Sequence, residues 1–152
     1  KAPRKKRLTL FAKQGENPPL STHNLQDEDN NEVVMALRRE GLVNAKEDKV
    51  KVVIYPVYLS EYDGVLNMKY YDVVSGCHLG IFPSYYEPWG YTPLECGALG
   101  VASITSDLSG FGRYVEEMSN EKKGGVYVLK RYNIGIIPRK IRDIKNIILN
   151  YK

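Results

Sequence analysis

Two carboxylates flank a stretch of chain that could hold a phosphate. In "YYEPWGYTPLE", Tyr85 to Glu95, the residues Glu87 and Glu95 stand on either side of Trp89, Gly90, Tyr91, Thr92 and Pro93. A carboxylate can balance positive charge that develops on carbon, and a helix starting between the two would turn its first amides, with their partial positive charge, toward an anion. Thr92-Pro93-Leu94-Glu95 has the form of a capping box, with Thr92 at the N-cap, Pro93 at the first helical position and Glu95 reaching back to the cap amide. The spacing predicts a helix that opens at Thr92 and stops at Gly100. Capping gives Glu95 a purely structural job. Glu87, five residues before the cap, has no such job.

The elements that must position these residues are short. Leu79 to Phe82, "LGIF", reads as a buried strand leading into the Glu87 loop; Val101 to Thr105, "VASIT", and Gly125 to Leu129, "GVYVL", read as two more. "VKVVIYP", Val50 to Pro56, is a β-branched run that predicts a fourth. Helices are predicted over "EVVMALRRE", with Gly41 and Leu42 placed for a Schellman ending, around Met68 to Ser75, and after Pro138, where Ile141, Ile144, Ile148 and Tyr151 share one face. Strands alternating with helices predict an α/β fold with a parallel sheet and helices on both faces. Ligands of such sheets bind beyond the carboxyl ends of the strands. Three loops leave those ends here, "PVYLSEYDG", "PSYYEPWGY" and "SDLSGFGRY", and they are expected to face one crevice. Gly110 and Gly112 in the third offer a close backbone approach, but no GxGxxG fingerprint is present, which argues against a nicotinamide-dinucleotide site.

Bulk properties narrow the function classes. The chain has 152 residues, 43% of them hydrophobic, enough for a globular core. Its net charge of +4 comes from the two ends: Lys1, Arg4, Lys5, Lys6 and Arg7 at one, Arg139, Lys140, Arg142, Lys145 and Lys152 at the other. The body between them is acidic, so no nucleic-acid partner is expected. Residues 1–31 read as a basic tail and a Pro/Asn/Asp-rich loop, and residues 32–152 as the folded domain. His23 lies in that loop, where a hydrogen-bonded role outweighs a chemical one. Cys77 and Cys96 lack metal-ligand spacing and read as reduced thiols; no metal is expected. Neither a signal peptide nor a membrane span is legible, which points to a cytoplasmic protein. Beginning at Lys1, the chain reads as an excised part of something longer.

With these residues laid out, "GCHLGIFPSYYEPWGYTPLECGALGVASITSDLSGFGRYVEE", Gly76 to Glu117, closely resembles the donor-site region of the eukaryotic glycogen synthases. "PPLSTHN" (Pro18 to Asn24) and "RREGLVN" (Arg38 to Asn44) extend the resemblance, which covers roughly residues 10 to 130. It implies a partial C-terminal lobe of a two-lobed, B-type glycosyltransferase with Rossmann-like lobes. The implied reaction transfers glucose from UDP-glucose to the non-reducing end of glycogen or another α-1,4-glucan, with retention of configuration and no metal or other cofactor.

The resemblance also implies residue roles. Glu87 contacts the donor sugar beside the reacting carbon, and Glu95 holds the ribose. The amides of Trp89, Gly90, Tyr91 and Thr92, with the Thr92 hydroxyl, face the diphosphate. Tyr70 stacks on uracil, with core packing as the alternative for a residue in a Tyr-Tyr doublet. The parent enzyme is expected to be a homo-oligomer. Two basic residues for the diphosphate and the acceptor-binding lobe are not in this chain, so it is expected to be inactive alone. Two rival readings are a non-catalytic nucleotide-sugar-binding or regulatory module and a related glucosyltransferase that uses ADP-glucose.

Overall fold

A strand needs a partner for its backbone, and the sheet forms where three apolar runs find one. The computed structural model describes residues 17–118 and 124–131, together with 145, 146 and 148. It divides into two units, Lys1–Tyr70 and Tyr71–Lys152.

The second unit carries the sheet. Strand β1 (Leu79–Ile81) pairs in parallel with β2 (Ala102–Ser106), which pairs in parallel with β3 (Val126–Leu129), in the order β1-β2-β3. Each strand starts and ends within a residue of the sequence expectation. Helix α3 (Tyr91–Ala98) joins β1 to β2, and α4 (Gly110–Met118) joins β2 to β3. All five residues of β2 are buried, so both faces of the central strand are covered, as in a Rossmann-like α/β fold. Ile104, Val101, Phe111, Val126 and Leu129 make the apolar core around it. Helix α3 ends as expected at Gly100, where the Val101 N–H donates to the Cys96 carbonyl at 2.8 Å and the Gly100 N–H to that of Gly97 at 3.1 Å.

In the first unit, Asn31 caps α1 (Glu32–Arg39), its side-chain oxygen accepting from the amides of Val33 and Val34 at 3.1 and 3.3 Å. The predicted Schellman ending is present: the Leu42 N–H donates to the Leu37 carbonyl at 2.9 Å and the Gly41 N–H to that of Arg38 at 3.0 Å. A short 3₁₀ turn, Glu28–Asn30, precedes the cap. The strand predicted over Val50 to Pro56 does not form. That segment makes one parallel bridge, between Ile54 and Ser21, and the backbone of Val52 is satisfied on both sides by the Asn44 side chain instead. β-Branched residues favour extension, but extension becomes a strand only against a neighbouring backbone. Beyond it, Asp63 organises the loop "SEYDGVLN". Burial opposes ionisation of its carboxyl, but hydrogen bonds from the Tyr55 hydroxyl and the amides of Val65, Asn67 and Ser60 outweigh it and hold the group well below the usual carboxylate range. His23 bridges this loop, one ring nitrogen 2.8 Å from the Thr22 hydroxyl and the other 3.0 Å from the Asp63 carbonyl oxygen.

Helix α2 (Tyr70–Ser75) starts two residues later than predicted. The basic segment at residues 1–7 lies outside the described residues. So does the helix expected after Pro138, except for Lys145, Asn146 and Ile148, which are helical.

Candidate functional site

Two of the three strand-end loops are laced together by their backbones. The Glu87 N–H donates to the Leu108 carbonyl at 3.3 Å, the Gly110 N–H to that of Glu87 at 3.2 Å, and the Phe111 N–H to that of Trp89 at 2.7 Å. Glu87 and Ser109 thereby form a one-residue parallel bridge beyond the end of the sheet. Close approach requires glycine at Gly110: a Cβ there would collide with the Pro88 carbonyl oxygen and lie 3.1 Å from the Trp89 Cα. The loop "PVYLSEYDG" belongs to the first unit.

Buried hydroxyls hold the remaining backbone. Ser109 is the N-cap of α4: its Oγ accepts from the Gly112 N–H at 3.0 Å, lies 3.0 Å from the Thr105 hydroxyl, and also lies within hydrogen-bond distance of the Ser106 carbonyl. Ser106 Oγ donates to the Ser84 carbonyl at 2.9 Å, and Ser103 Oγ to that of Pro93 at 3.3 Å. Ser103, Thr105, Ser106 and Ser109 are all fully buried. The sequence reading missed this network and took Gly110 to Tyr114 for loop. The spacing of Phe111, Tyr114, Val115 and Met118 carries a helical period that the glycine pair obscured. Ser109→Ala should destabilise the chain by about 1–3 kcal/mol, since it removes a cap and strands the buried Thr105 hydroxyl. Chemical denaturation measures this, and an unchanged midpoint would show that the network does not hold α4.

The start of α3 differs from the expectation. Tyr91 is its first residue and Gly90, at φ 108°, ψ 72°, its N-cap, so Thr92 is the second helical residue and no capping box forms. The lacing of Trp89 to Phe111 fixes the chain up to Gly90, and a left-handed glycine then turns it into the helix two residues early. Pro93, now third, still occupies a position whose N–H would have no helical partner. The amides of Gly90, Tyr91 and Thr92 are the ones this helix start can offer to an anion.

The Glu87 carboxylate accepts from Ser84 Oγ at 2.9 Å. It sits against the helix start: a Cβ on Gly90 would lie 3.3 Å from Glu87 Oε2. Glu95, freed from capping, accepts from the Tyr71 hydroxyl at 3.2 Å, and that bond pushes the Tyr71 phenol up from its ordinary range. Trp89 packs in a tilted arrangement against Tyr114 and edge-on against Phe111, with ring centres 5.8 and 6.1 Å apart, so its side chain anchors the loop to α4. Tyr70 is the first residue of α2 and half-buried. Cys96, buried on the inner side of α3, has its thiol pushed up by that burial. Among the described residues no three His, Cys, Asp or Glu side chains gather as a metal site would require, and no helix is long and apolar enough to cross a membrane.

A family model described as glycogen synthase matches residues 4–151, a longer span than the motifs alone indicated. The chain is 45% identical over 124 residues to a liver glycogen (starch) synthase of Mus musculus, covering 80% of this chain and 18% of that protein. It is 44% identical over 131 residues to glycogen (starch) synthase isoform 1 of Saccharomyces cerevisiae, covering 84% of this chain and again 18% of the relative. The chain thus spans under a fifth of the length of these relatives.

Proposed function

This chain belongs to the glycogen synthase family, and we propose that it forms the donor-nucleotide part of a retaining glucosyltransferase. That enzyme transfers glucose from UDP-glucose to the non-reducing end of an α-1,4-glucan. The observation that carries this reading is the placing of Glu87 against the N-terminus of α3, with Glu95 on the same helix one turn further in.

Breaking the bond between sugar and phosphate leaves positive charge on the anomeric carbon and negative charge on UDP. A carboxylate beside the first and helix-end amides beside the second favour that separation over the intact donor, which is what catalysis needs. In this reading Glu87 faces the reacting sugar, and the amides of Gly90, Tyr91 and Thr92 face the diphosphate. Glu95, oriented by Tyr71, accepts from the ribose hydroxyls, and Tyr70 stacks on uracil. Trp89 serves through its backbone, its ring being engaged with α4. The acceptor glucan is held by residues outside this chain, in a cytoplasmic homo-oligomer that works without a metal. UDP-glucose rather than ADP-glucose is the donor.

Glu95→Ala tests the assignment. Glu95 is the fifth residue of α3 and not its cap, so stability should change little, while UDP affinity falls roughly tenfold, the size of one charge-assisted hydrogen bond. Calorimetric titration of UDP into a full-length enzyme carrying this segment measures both Glu95→Ala and Glu87→Ala. Equal losses of nucleotide affinity in the two would contradict the division of roles.

A further inference from the structure

Arg131, the second residue after β3, reaches back across the carboxyl ends of the other two strands. Its guanidinium lies 4.0 Å from the centre of the Tyr85 ring, and its Nη1 donates to the Pro83 carbonyl. Its own backbone N–H donates to Asp107 Oδ1 at 2.6 Å, and the Asp107 N–H donates in turn to the Leu129 carbonyl at 3.0 Å. One residue therefore holds the loop after β1 through its side chain and the loop after β2 through its main chain. The stretch it grips, Pro83 to Tyr85, ends two residues before Glu87. Ser106 holds the Ser84 carbonyl in the same stretch, and Ser84 holds the Glu87 carboxylate.

We infer that Arg131 is a positioning residue for glucosyl transfer, clamping residues 83–87 so that the Glu87 carboxylate stays against Gly90 and the start of α3. This rests on the reading of Glu87 given above. A planar guanidinium can lie over an aromatic face and donate in its own plane to a carbonyl at the same time. An ammonium is a point charge on a flexible stem: it has no plane to lie on the ring and does not fix the direction of its donor. Arg131→Lys therefore keeps the charge and loses the clamp, which separates geometry from electrostatics.

The test uses a full-length enzyme carrying this segment, with Arg131→Lys and Arg131→Gln made alone and in a Glu87→Gln background. Peptide-resolved amide hydrogen exchange reads the loop, and steady-state kinetics read the chemistry. The expected result is faster exchange across residues 83–90 in both Arg131 variants. Turnover should fall ~10- to 100-fold, as small misplacements of a reacting group do, while KM for the donor stays within about twofold. In the Glu87→Gln background the Arg131 effect on turnover should vanish. Unchanged exchange would overturn the clamp whatever Glu87 does. A turnover loss that multiplies with that of Glu87→Gln would overturn action through Glu87. Full turnover in Glu87→Gln alone would overturn the reading of Glu87 itself, and with it the catalytic half of the inference, without reference to any Arg131 variant.

Discussion

Glu87→Ala, in a full-length enzyme carrying this segment, is expected to lower turnover by ~10²–10³-fold while leaving UDP affinity nearly intact. The carboxylate is anchored on one side by Ser84 Oγ and abuts the buried N-cap Gly90 on the other. Its partner in the proposed reaction is the sugar carbon as it becomes positive, a charge absent from the ground state. Removing a group whose interaction exists mainly in the transition state lowers kcat without a matching change in binding. The backbone around residue 87 should survive the change, because its two hydrogen bonds, to Leu108 and from Gly110, use main-chain atoms only. Stopped-time assays with labelled UDP-glucose, paired with UDP titration, separate the two quantities. A variant with wild-type turnover, or one that loses UDP binding in proportion to activity, would sink the role assigned to Glu87.

The 152-residue chain on its own should transfer no measurable glucose. Rate enhancement of this kind depends on holding donor and acceptor in a single water-poor geometry, and the proposed acceptor contacts lie outside the segment that this chain shares with its relatives. The amides at the start of α3 offer only partial charges to a diphosphate. Affinity for UDP should accordingly be weak, around millimolar, and should fall as salt is added. Incubating the purified chain with labelled UDP-glucose and glycogen checks this. Incorporation above that of a Glu87→Ala control would show that the segment is catalytically self-sufficient.

What could be read from the residues alone was whatever a few neighbours in sequence decide. The ends of α1 and α3 are local motifs, each set by a glycine and the apolar residue after it, and both stand where Gly41-Leu42 and Gly100-Val101 put them. The three sheet strands are short apolar runs between turn residues and needed no further information. The start of α3 was decided elsewhere. Thr92-Pro93-Leu94-Glu95 satisfies a capping box locally, but the backbone bond from Phe111 to Trp89 comes from a segment some twenty residues away and sets the entry point first. Val50 to Pro56 failed for the converse reason, having strand-like side chains and no strand beside them. The polar interior was the least legible part. Ser103, Ser106 and Ser109 look like ordinary polar residues until the backbone carbonyls they serve are placed around them, and Thr105 until the Ser109 hydroxyl is. The pairing of Glu87 and Glu95 about one helix start was legible as spacing. The partners that aim them, Ser84 and Tyr71, became visible only in three dimensions.

Surface loops usually absorb insertions and deletions more readily than the elements they connect. The two that carry this site are constrained otherwise. Because Glu87 is bonded to Leu108 and Gly110 through a one-residue parallel bridge, and Trp89 to Phe111 through one further backbone bond, adding a residue between Glu87 and Trp89 or between Leu108 and Phe111 would pull donors away from their acceptors. Compensation would require a simultaneous change of the same size in the other loop, and the glycine at 110 would still have to meet Pro88. Among descendants of this fold, the distances from strand end to helix start in both crossovers should be frozen as a pair, so that the ancestry of the site is recorded in loop lengths as much as in residue types.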